Sequence, residues 1–234
     1  MAPANPGPPQ DFNREYATAT FAIVVLLSAT SGIVDAVAFE RFGVFVANQT
    51  GNLVIVALGL AKEQALETRV ASVIALVTFT VGVFIAVKLR NLLRRRMTQP
   101  RARVIMLAIE AVLIAITGLL VLIWGEKQVA FAAVFLLSLS QAFQAAVITR
   151  IVGLAVQTVV INTALVQSAE AWVGGRKRAS TIAFGTPIGY LIGAFVGALL
   201  LRFPPPTALW SALLTAAAAT VIAHRIRLDG AKID

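Results

Sequence analysis

The sequence predicts an all-α integral membrane protein with six transmembrane helices and two re-entrant or broken half-helix segments, arranged as two inverted halves. Three observations support this fold class. Of the 234 residues, 59% are hydrophobic and only 13% are charged, whereas soluble domains have about 25% charged residues. Six apolar runs reach the roughly 20 residues that cross a bilayer as a helix. The net charge of +9 is gathered beside those runs.

The six spans are taken from uninterrupted apolar runs, and tryptophans near their ends suit a membrane–water boundary. A soluble chain of this length could not bury so much apolar surface. A proline-rich tail (1–16) is expected to be disordered and cytoplasmic, followed by a single transmembrane domain (17–228) and a short cytoplasmic tail (229–234). The predicted spans are residues 17–39, 70–93, 104–124, 129–149, 179–201 and 207–224.

Two further apolar stretches, residues 42–61 and 152–172, do not resemble simple spans. Each begins with glycine and β-branched residues and then reaches Asn and Thr, which favour helix N-caps over helix interiors. Roughly ten helical residues follow, too few to cross a bilayer. Each stretch is therefore either re-entrant or a full crossing that is broken midway.

Three basic clusters distinguish these topologies. If both interrupted segments cross fully, the clusters fall on opposite sides. If both return to the side they entered from, all three clusters and both termini lie on one side. This agrees with the general excess of Lys and Arg in the cytoplasmic loops of membrane proteins. We therefore expect a multi-pass inner (plasma) membrane protein with both termini cytoplasmic. Without interleaved aromatic residues, the clusters do not indicate nucleic-acid binding. The clusters are Lys88, Arg90, Arg94, Arg95, Arg96, Arg101 and Arg103; Arg176, Lys177 and Arg178; and Arg225, Arg227 and Lys232.

With re-entrant segments, each half of the chain has three full spans, so the second half is inverted relative to the first. The halves run from about 17 to 124 and from about 129 to 226. A weak internal alignment places Ala36-Val37 and Gly43 over Ala146-Val147 and Gly153.

The half-helix N-termini are the predicted substrate-binding site. A helix that begins at mid-membrane presents free N–H groups and a partial positive charge, which transporters use to hold anionic groups. Alternatively, these polar residues only cap helices within a packed bundle. One wall of the site would consist of Asn48, Gln49, Thr50, Gly51 and Asn52, and the other of Thr158, Asn162 and Thr163.

Three residues within the spans are candidates for coupling or gating: Asp35, Glu110 and Gln144. An acid inside a membrane helix is costly and indicates function by default. Asp35 either binds a proton or cation or is a structural partner for Arg41, Arg150 or a backbone cap. Glu110 either pairs with a loop arginine or relays protons. Gln144, like Gln141, either lines a pathway or bonds between helices.

Glycines recur every fourth residue at Gly185, Gly189, Gly193 and Gly197. Such a stripe lets another backbone approach closely. We expect it to pack against the second interrupted segment or against a partner subunit, and in the latter case the assembly would be a homodimer.

Conventional catalytic chemistry has few residues to use. The chain has no cysteine and a single histidine, His224. This excludes thiolate sites, and a histidine-based triad or metal site would have to be built from that one residue. We therefore expect no enzyme activity, no cofactor and no metal site.

The segments 32–36 and 43–53, with the Asn-x-Thr-Gly-Asn element at 48–52, resemble the signature of the YoaK family of small bacterial membrane proteins, catalogued as domain of unknown function 1275. The resemblance extends from about residue 19 to 225. It implies a Thr-Gly pair in the second half, where this chain has Asn162-Thr163. The interrupted segments also resemble strand-then-half-helix elements of uracil and sulfate permeases at the level of fold.

Together these features predict a secondary transporter, or otherwise a channel, for a small polar or anionic solute, with its site at the midplane between the half-helices. Transport would be coupled to a proton or cation. The alternative is a non-transporting membrane subunit, sensor or assembly scaffold. In either case the lipid bilayer is the main environment.

Overall fold

The computed structural model describes residues 14–61, 65–147, 161–204 and 206–225. All regular structure in these residues is helical, and six of the helices are long and apolar enough to cross a membrane. This confirms the six predicted spans. The helices are α1 Arg14–Phe42, α2 Gln49–Ala61, α3 Leu66–Arg96, α4 Gln99–Trp124, α5 Glu126–Val147, α6 Ile161–Val173, α7 Lys177–Leu200 and α8 Thr207–Arg225.

The two short helices, α2 and α6, coincide with the helical parts of the interrupted segments. Each has 13 residues and is about 20 Å long, whereas the hydrocarbon core is about 30 Å thick. Neither helix can cross a bilayer alone.

Helices α1 and α7 run parallel in close contact, because the glycine stripe brings their backbones together. A Cβ at Gly189 would lie 2.5 Å from the Val25 carbonyl oxygen, and one at Gly193 would overlap the Ala29 carbonyl. Four residues along α7 thus match four along α1. The stripe is therefore filled by α1, whereas the sequence led us to expect the second interrupted segment or a partner subunit there.

Helix α5 runs antiparallel to α1. Ser31 of α1 meets Gln141 of α5, and Leu27, four residues earlier on α1, meets Gln144, three residues later on α5. Helix α5 packs mainly against α3 and α4, while α1 packs mainly against α7 and α8. Helices α4 and α5 form a tight hairpin joined by one residue, Gly125, at a φ of 82°.

Basic residues are concentrated at one end of this bundle. A core cluster there joins the first turns of α1 with the last turns of α5 and α8 and packs against Leu93 of α3 and Ala179 of α7. The other large cluster includes residues near the end of α1 and the start of α8. Arg94–Arg96, Arg101, Arg103, Arg176–Arg178 and Arg225 all lie at the first end, which we call the basic end. Arg227 and Lys232 lie outside the described residues.

The first interrupted segment returns to the side it left. Gly43 follows α1 at a φ of 68°, a left-handed conformation that glycine adopts without strain. A Cβ there would lie 3.2 Å from Cγ2 of Thr68, in the first turn of α3. The segment thus leaves and rejoins the bundle at neighbouring points, which a re-entrant path requires, and we call residues 43–48 the re-entrant loop.

Only the helical part of the second interrupted segment is described. Helix α6 packs against α7, where the hydroxyls of Ser168 and Ser180 lie 3.0 Å apart. Residues 148–160 lie outside the described part of the chain. A re-entrant path for this segment stays a prediction.

Candidate functional site

The centre of the candidate site is the carboxylate of Asp35, which is 1% exposed. Its Oδ1 accepts hydrogen bonds from the backbone N–H groups of Val46 and Ala47, each at 2.7 Å, and its Oδ2 accepts one from the N–H of Asn48 at 3.1 Å. Asp35 lies seven residues before the end of α1, or about 10 Å along the helix. The re-entrant loop therefore descends about that far to reach it.

A fourth donor comes from a distant helix. The hydroxyl of Tyr190 on α7 donates to Asp35 Oδ2 at 2.6 Å. Because all four partners are donors and an ionised carboxylate accepts only, the geometry suits the ionised form. Of the structural partners considered from the sequence, the backbone cap is present, whereas Arg41 instead pairs with Glu126 at 3.3 Å. Arg150 lies outside the described residues.

Asn52 fixes the shape of the re-entrant loop from inside α2. Its Oδ1 accepts from the N–H of Phe45 at 2.9 Å, and its Nδ2 donates to the Phe45 carbonyl at 2.6 Å. Nδ2 also donates to Gln49 Oε1 at 3.0 Å, and Gln49 Nε2 donates to the Val46 carbonyl at 2.9 Å. These bonds hold residues 45–47 in the path that presents their amides to Asp35.

The start of α2 has a polar edge that the protein leaves uncovered. Asn48 is the residue before α2, and its Oδ1 accepts from the N–H of Gly51 at 3.3 Å, a capping bond. Asn48 and Thr50 are exposed, Gln49 and Gly51 are half-buried, and Asn52 is fully buried. The predicted first wall thus has an accessible edge and a buried, structural base.

The second predicted wall is described only in part. Thr158 lies outside the described residues; Asn162 is exposed and Thr163 is half-buried at the start of α6. The principal packing partner of α2 is α3, and that of α6 is α7. Among the described contacts, no hydrogen bond joins Asn162 or Thr163 to residues 48–52, so the facing of the two walls stays a prediction.

Gln144 belongs to a buried hydrogen-bond network between α1 and α5. Its Nε2 donates to Ser31 Oγ at 2.9 Å and to the Leu27 carbonyl at 3.1 Å. Ser31 Oγ in turn donates to Gln141 Oε1 at 2.7 Å. Ser31 lies one helical turn before Asp35, on the same face of α1. The network thus reaches from α5 to the neighbourhood of the carboxylate.

Glu110 lies apart from this arrangement. It is fully buried on α4, and neither carboxyl oxygen has a hydrogen-bond partner in the part of the chain that the structure describes. The described residues also contain no group of three His, Asp or Glu side chains that could hold a metal ion.

Sequence reasoning missed Tyr190 and the amides of Val46 and Ala47. Tyr190 is 155 positions from Asp35 in the chain, and a tyrosine among apolar residues carries no signal of such a partner. The backbone amides depend on a loop path that residue types alone do not specify.

Comparison with known proteins identifies a family without an established activity. No curated protein and no solved structure matches the chain. A family model described as "Protein of unknown function (DUF1275)" matches residues 23–222. The match confirms the DUF1275 resemblance of the sequence, and the chain belongs to this family.

Proposed function

We propose that this chain is a secondary transporter that binds a small anionic solute at the start of α2 and couples its movement to proton binding at Asp35. One observation carries the proposal: the amides of Val46, Ala47 and Asn48 converge on a carboxylate. Successive N–H groups at a helix N-terminus form an anion-binding concavity, and the helix dipole adds to the attraction.

In the described conformation the anion that these amides bind is the carboxylate of Asp35. A protonated Asp35 would lose its negative charge, and its amide bonds would weaken because bonds to charged groups are the stronger ones. A solute carboxylate, or another anion of similar size, could then take the same donors. Solute and proton would thus bind together, which is the requirement for symport.

The contacts between helices support two related halves. If α1 is exchanged with α5, α2 with α6, α3 with α7 and α4 with α8, the same pairs of helices are in contact. The alignment that places Ala36 over Ala146 is an offset of 110, and Ser31 plus 110 is Gln141, its hydrogen-bond partner. A two-fold axis relating inverted halves would pass between α1 and α5 at this contact. Transporters built from inverted repeats bind substrate at the interface between the repeats.

The exposed edge of the site supports access for a solute. Asn48 and Thr50 are both exposed beside the amides that Asp35 occupies. Their side chains offer hydrogen-bond donors and acceptors to an entering polar molecule. The Tyr190 hydroxyl donates to the Asp35 carboxylate, and it could donate in the same way to a solute carboxylate that replaces Asp35 at the amides.

Flux measurements in liposomes containing the purified protein test this function. We expect uptake of at least one labelled anion, from a panel of small carboxylates, phosphate and sulfate, to increase when the outside is made acidic. Asp35→Asn should abolish this dependence on the proton gradient. Glu67→Gln, at an exposed acid in the first turn of α3, is the matched control and should behave like the wild type.

Two results would contradict the proposal. The first is equal gradient dependence in Asp35→Asn and the wild type. The second is a folded protein that moves no anion of the panel. Stable co-purification with one partner protein, together with the second result, would favour the non-transporting subunit or scaffold.

A further inference from the structure

A buried acid in α4 has no partner among the described residues that would stabilise a charge. Glu110 is 0% exposed, and neither of its oxygens accepts or donates a hydrogen bond in the described residues. Asp35 is equally buried but has four donors around it. The two carboxyl groups therefore sit in opposite environments within one bundle.

Glu110 also lies deep in the bundle. It is 11 residues after the start of α4 and 14 before Trp124, or about 16 and 21 Å along the helix. The α4–α5 hairpin turns at Gly125, so Glu110 lies at the depth of Ser140 and Gln141. On α4 it is flanked one turn away by Met106 and Ile114, both fully buried.

The charged groups of the packed helices lie elsewhere. Helices α3, α5 and α8 pack against α4, and α5 has no charged residue between Lys127 and Val147. Gly118 of α4 contacts Trp210 of α8. Because the two helices run antiparallel, Glu110, eight residues before Gly118, lies opposite residue 218, eight residues after Trp210. The exposed His224 is six residues further along α8 and so lies about 9 Å nearer the basic end. On α3, Lys88 is exposed and Arg90 donates to the Ala146 carbonyl at 2.6 Å. On α4 itself, Arg103 is two turns away.

An ionised carboxylate in these surroundings would be a buried charge without hydrogen bonds or a counter-ion, which proteins avoid by binding a proton or cation. We propose that Glu110 is a second proton-binding residue and carries its proton in the described conformation. It gives up the proton when α4, α5 and α8 separate enough for water to reach it.

The second site extends the path of the coupling ion. Asp35 lies about 10 Å from the end of α1 that is opposite the basic end, whereas Glu110 lies nearer the basic end. Ser31 lies between their depths and donates to Gln141, which lies at the depth of Glu110. Gln141 Nε2 has no hydrogen-bond partner in the described structure. A role for Glu110 in moving protons to or from Asp35 rests on the proposed transport function, but proton binding itself does not.

Infrared spectroscopy of the wild-type protein in liposomes tests proton binding directly. At neutral pH we expect a carbonyl stretching band from a protonated carboxyl group. The band should shift when the glutamate side chains carry ¹³C at Cδ, should persist in Asp35→Asn and should be lost in Glu110→Gln. The isotope shift needs no variant, so the test holds even if Glu110→Gln does not fold.

A labelling experiment gives an independent readout. The lipid-soluble reagent dicyclohexylcarbodiimide reacts with protonated carboxyl groups, and mass spectrometry should find it on Glu110 rather than on the exposed Glu67. Absence of a glutamate-sensitive protonated band at neutral pH would overturn the inference. Such a failure leaves anion flux untouched, and absence of flux leaves the band untouched, so the two proposals fail separately.

Discussion

The two interrupted segments follow helices that occupy equivalent places in the chain order, yet among the described residues only the first segment is bound by an acid of the preceding helix. Asp35 of α1 binds three amides of its re-entrant loop. The offset of 110 that places Ala36 over Ala146 puts Ala145 at the corresponding place in α5. An alanine side chain has no acceptor. The correspondence of helices between the halves therefore does not extend to their chemistry.

Removing the acid should break this comparison most severely. Asp35→Ala leaves three amides and the Tyr190 hydroxyl without their acceptor, and we expect a loss of about 4 kcal/mol in unfolding free energy, since each hydrogen bond to a charged group contributes about 1.5–3 kcal/mol. Hydrogen exchange at residues 43–52 should rise sharply. Ala145→Ser on α5 should change the melting temperature in detergent little, and equal effects at the two positions would contradict the asymmetry.

The glycine contacts offer a second comparison between the halves. Gly193→Ala would push a methyl group into the Ala29 backbone, whereas a Cβ at Gly82 would meet the side chains of Ala142 and Leu139 at 2.8 and 2.9 Å. Side chains yield more readily, so we expect Gly193→Ala to cost about 3 kcal/mol and Gly82→Ala about 1 kcal/mol. Thermal unfolding in detergent measures both. A larger effect at Gly82 would mean that α3 and α5 are the less tolerant pair.

Asparagines at the two half-helices should also differ. Asn52 is fully buried and bonded to the Phe45 backbone and to Gln49, so Asn52→Ala should cost about 2 kcal/mol. Asn162 is exposed, and Asn162→Ala should change stability by less than about 0.5 kcal/mol. Unfolding of the two variants side by side measures this difference. Equal losses would indicate that Asn162 has a structural partner of its own.

Loss of the Tyr190 hydroxyl should change stability less than Asn52→Ala does. Tyr190→Phe removes one of four donors to Asp35 and should lower stability by about 1.5 kcal/mol. Hydrogen exchange at residues 46–48 should rise less than in Asp35→Ala. Phe184→Leu, at an exposed apolar position of α7, is the control. If hydrogen exchange at residues 46–48 were no faster in Tyr190→Phe than in Phe184→Leu, the three amides would be sufficient to hold Asp35 without the Tyr190 hydroxyl.

Most of the architecture was predictable because a helix that crosses a bilayer needs a long run of apolar residues. The six spans follow from apolar length, and the break after α1 follows from Gly43 and the polar run that begins at Asn48. The basic end follows from the position of the arginines. Helix ends were less predictable: α1 begins at Arg14 and ends at Phe42, because polar residues at the boundary extend a helix at little cost.

The details of the site were predictable only as residue types. Asp35 was noticeable because an acid is rare inside a span, and a backbone cap was among its expected partners. Tyr190 and the pairing of Arg41 with Glu126 depend on which helices become neighbours, and hydropathy does not encode this. Placing α1 in the glycine stripe depends likewise on tertiary packing.

The contact between α1 and α7 has a consequence for synthesis in the membrane. Helix α1 holds Ser28, Thr30, Ser31 and Asp35 on buried faces, and its main neighbours, α7 and α8, are translated after α2 to α6. The hydroxyl of Tyr190 and the Thr215 partner of Thr30 arrive only with those helices. Until α7 and α8 have been translated, these buried polar groups of α1 lack those partners, so the contacts that close the bundle around α1 form late in synthesis.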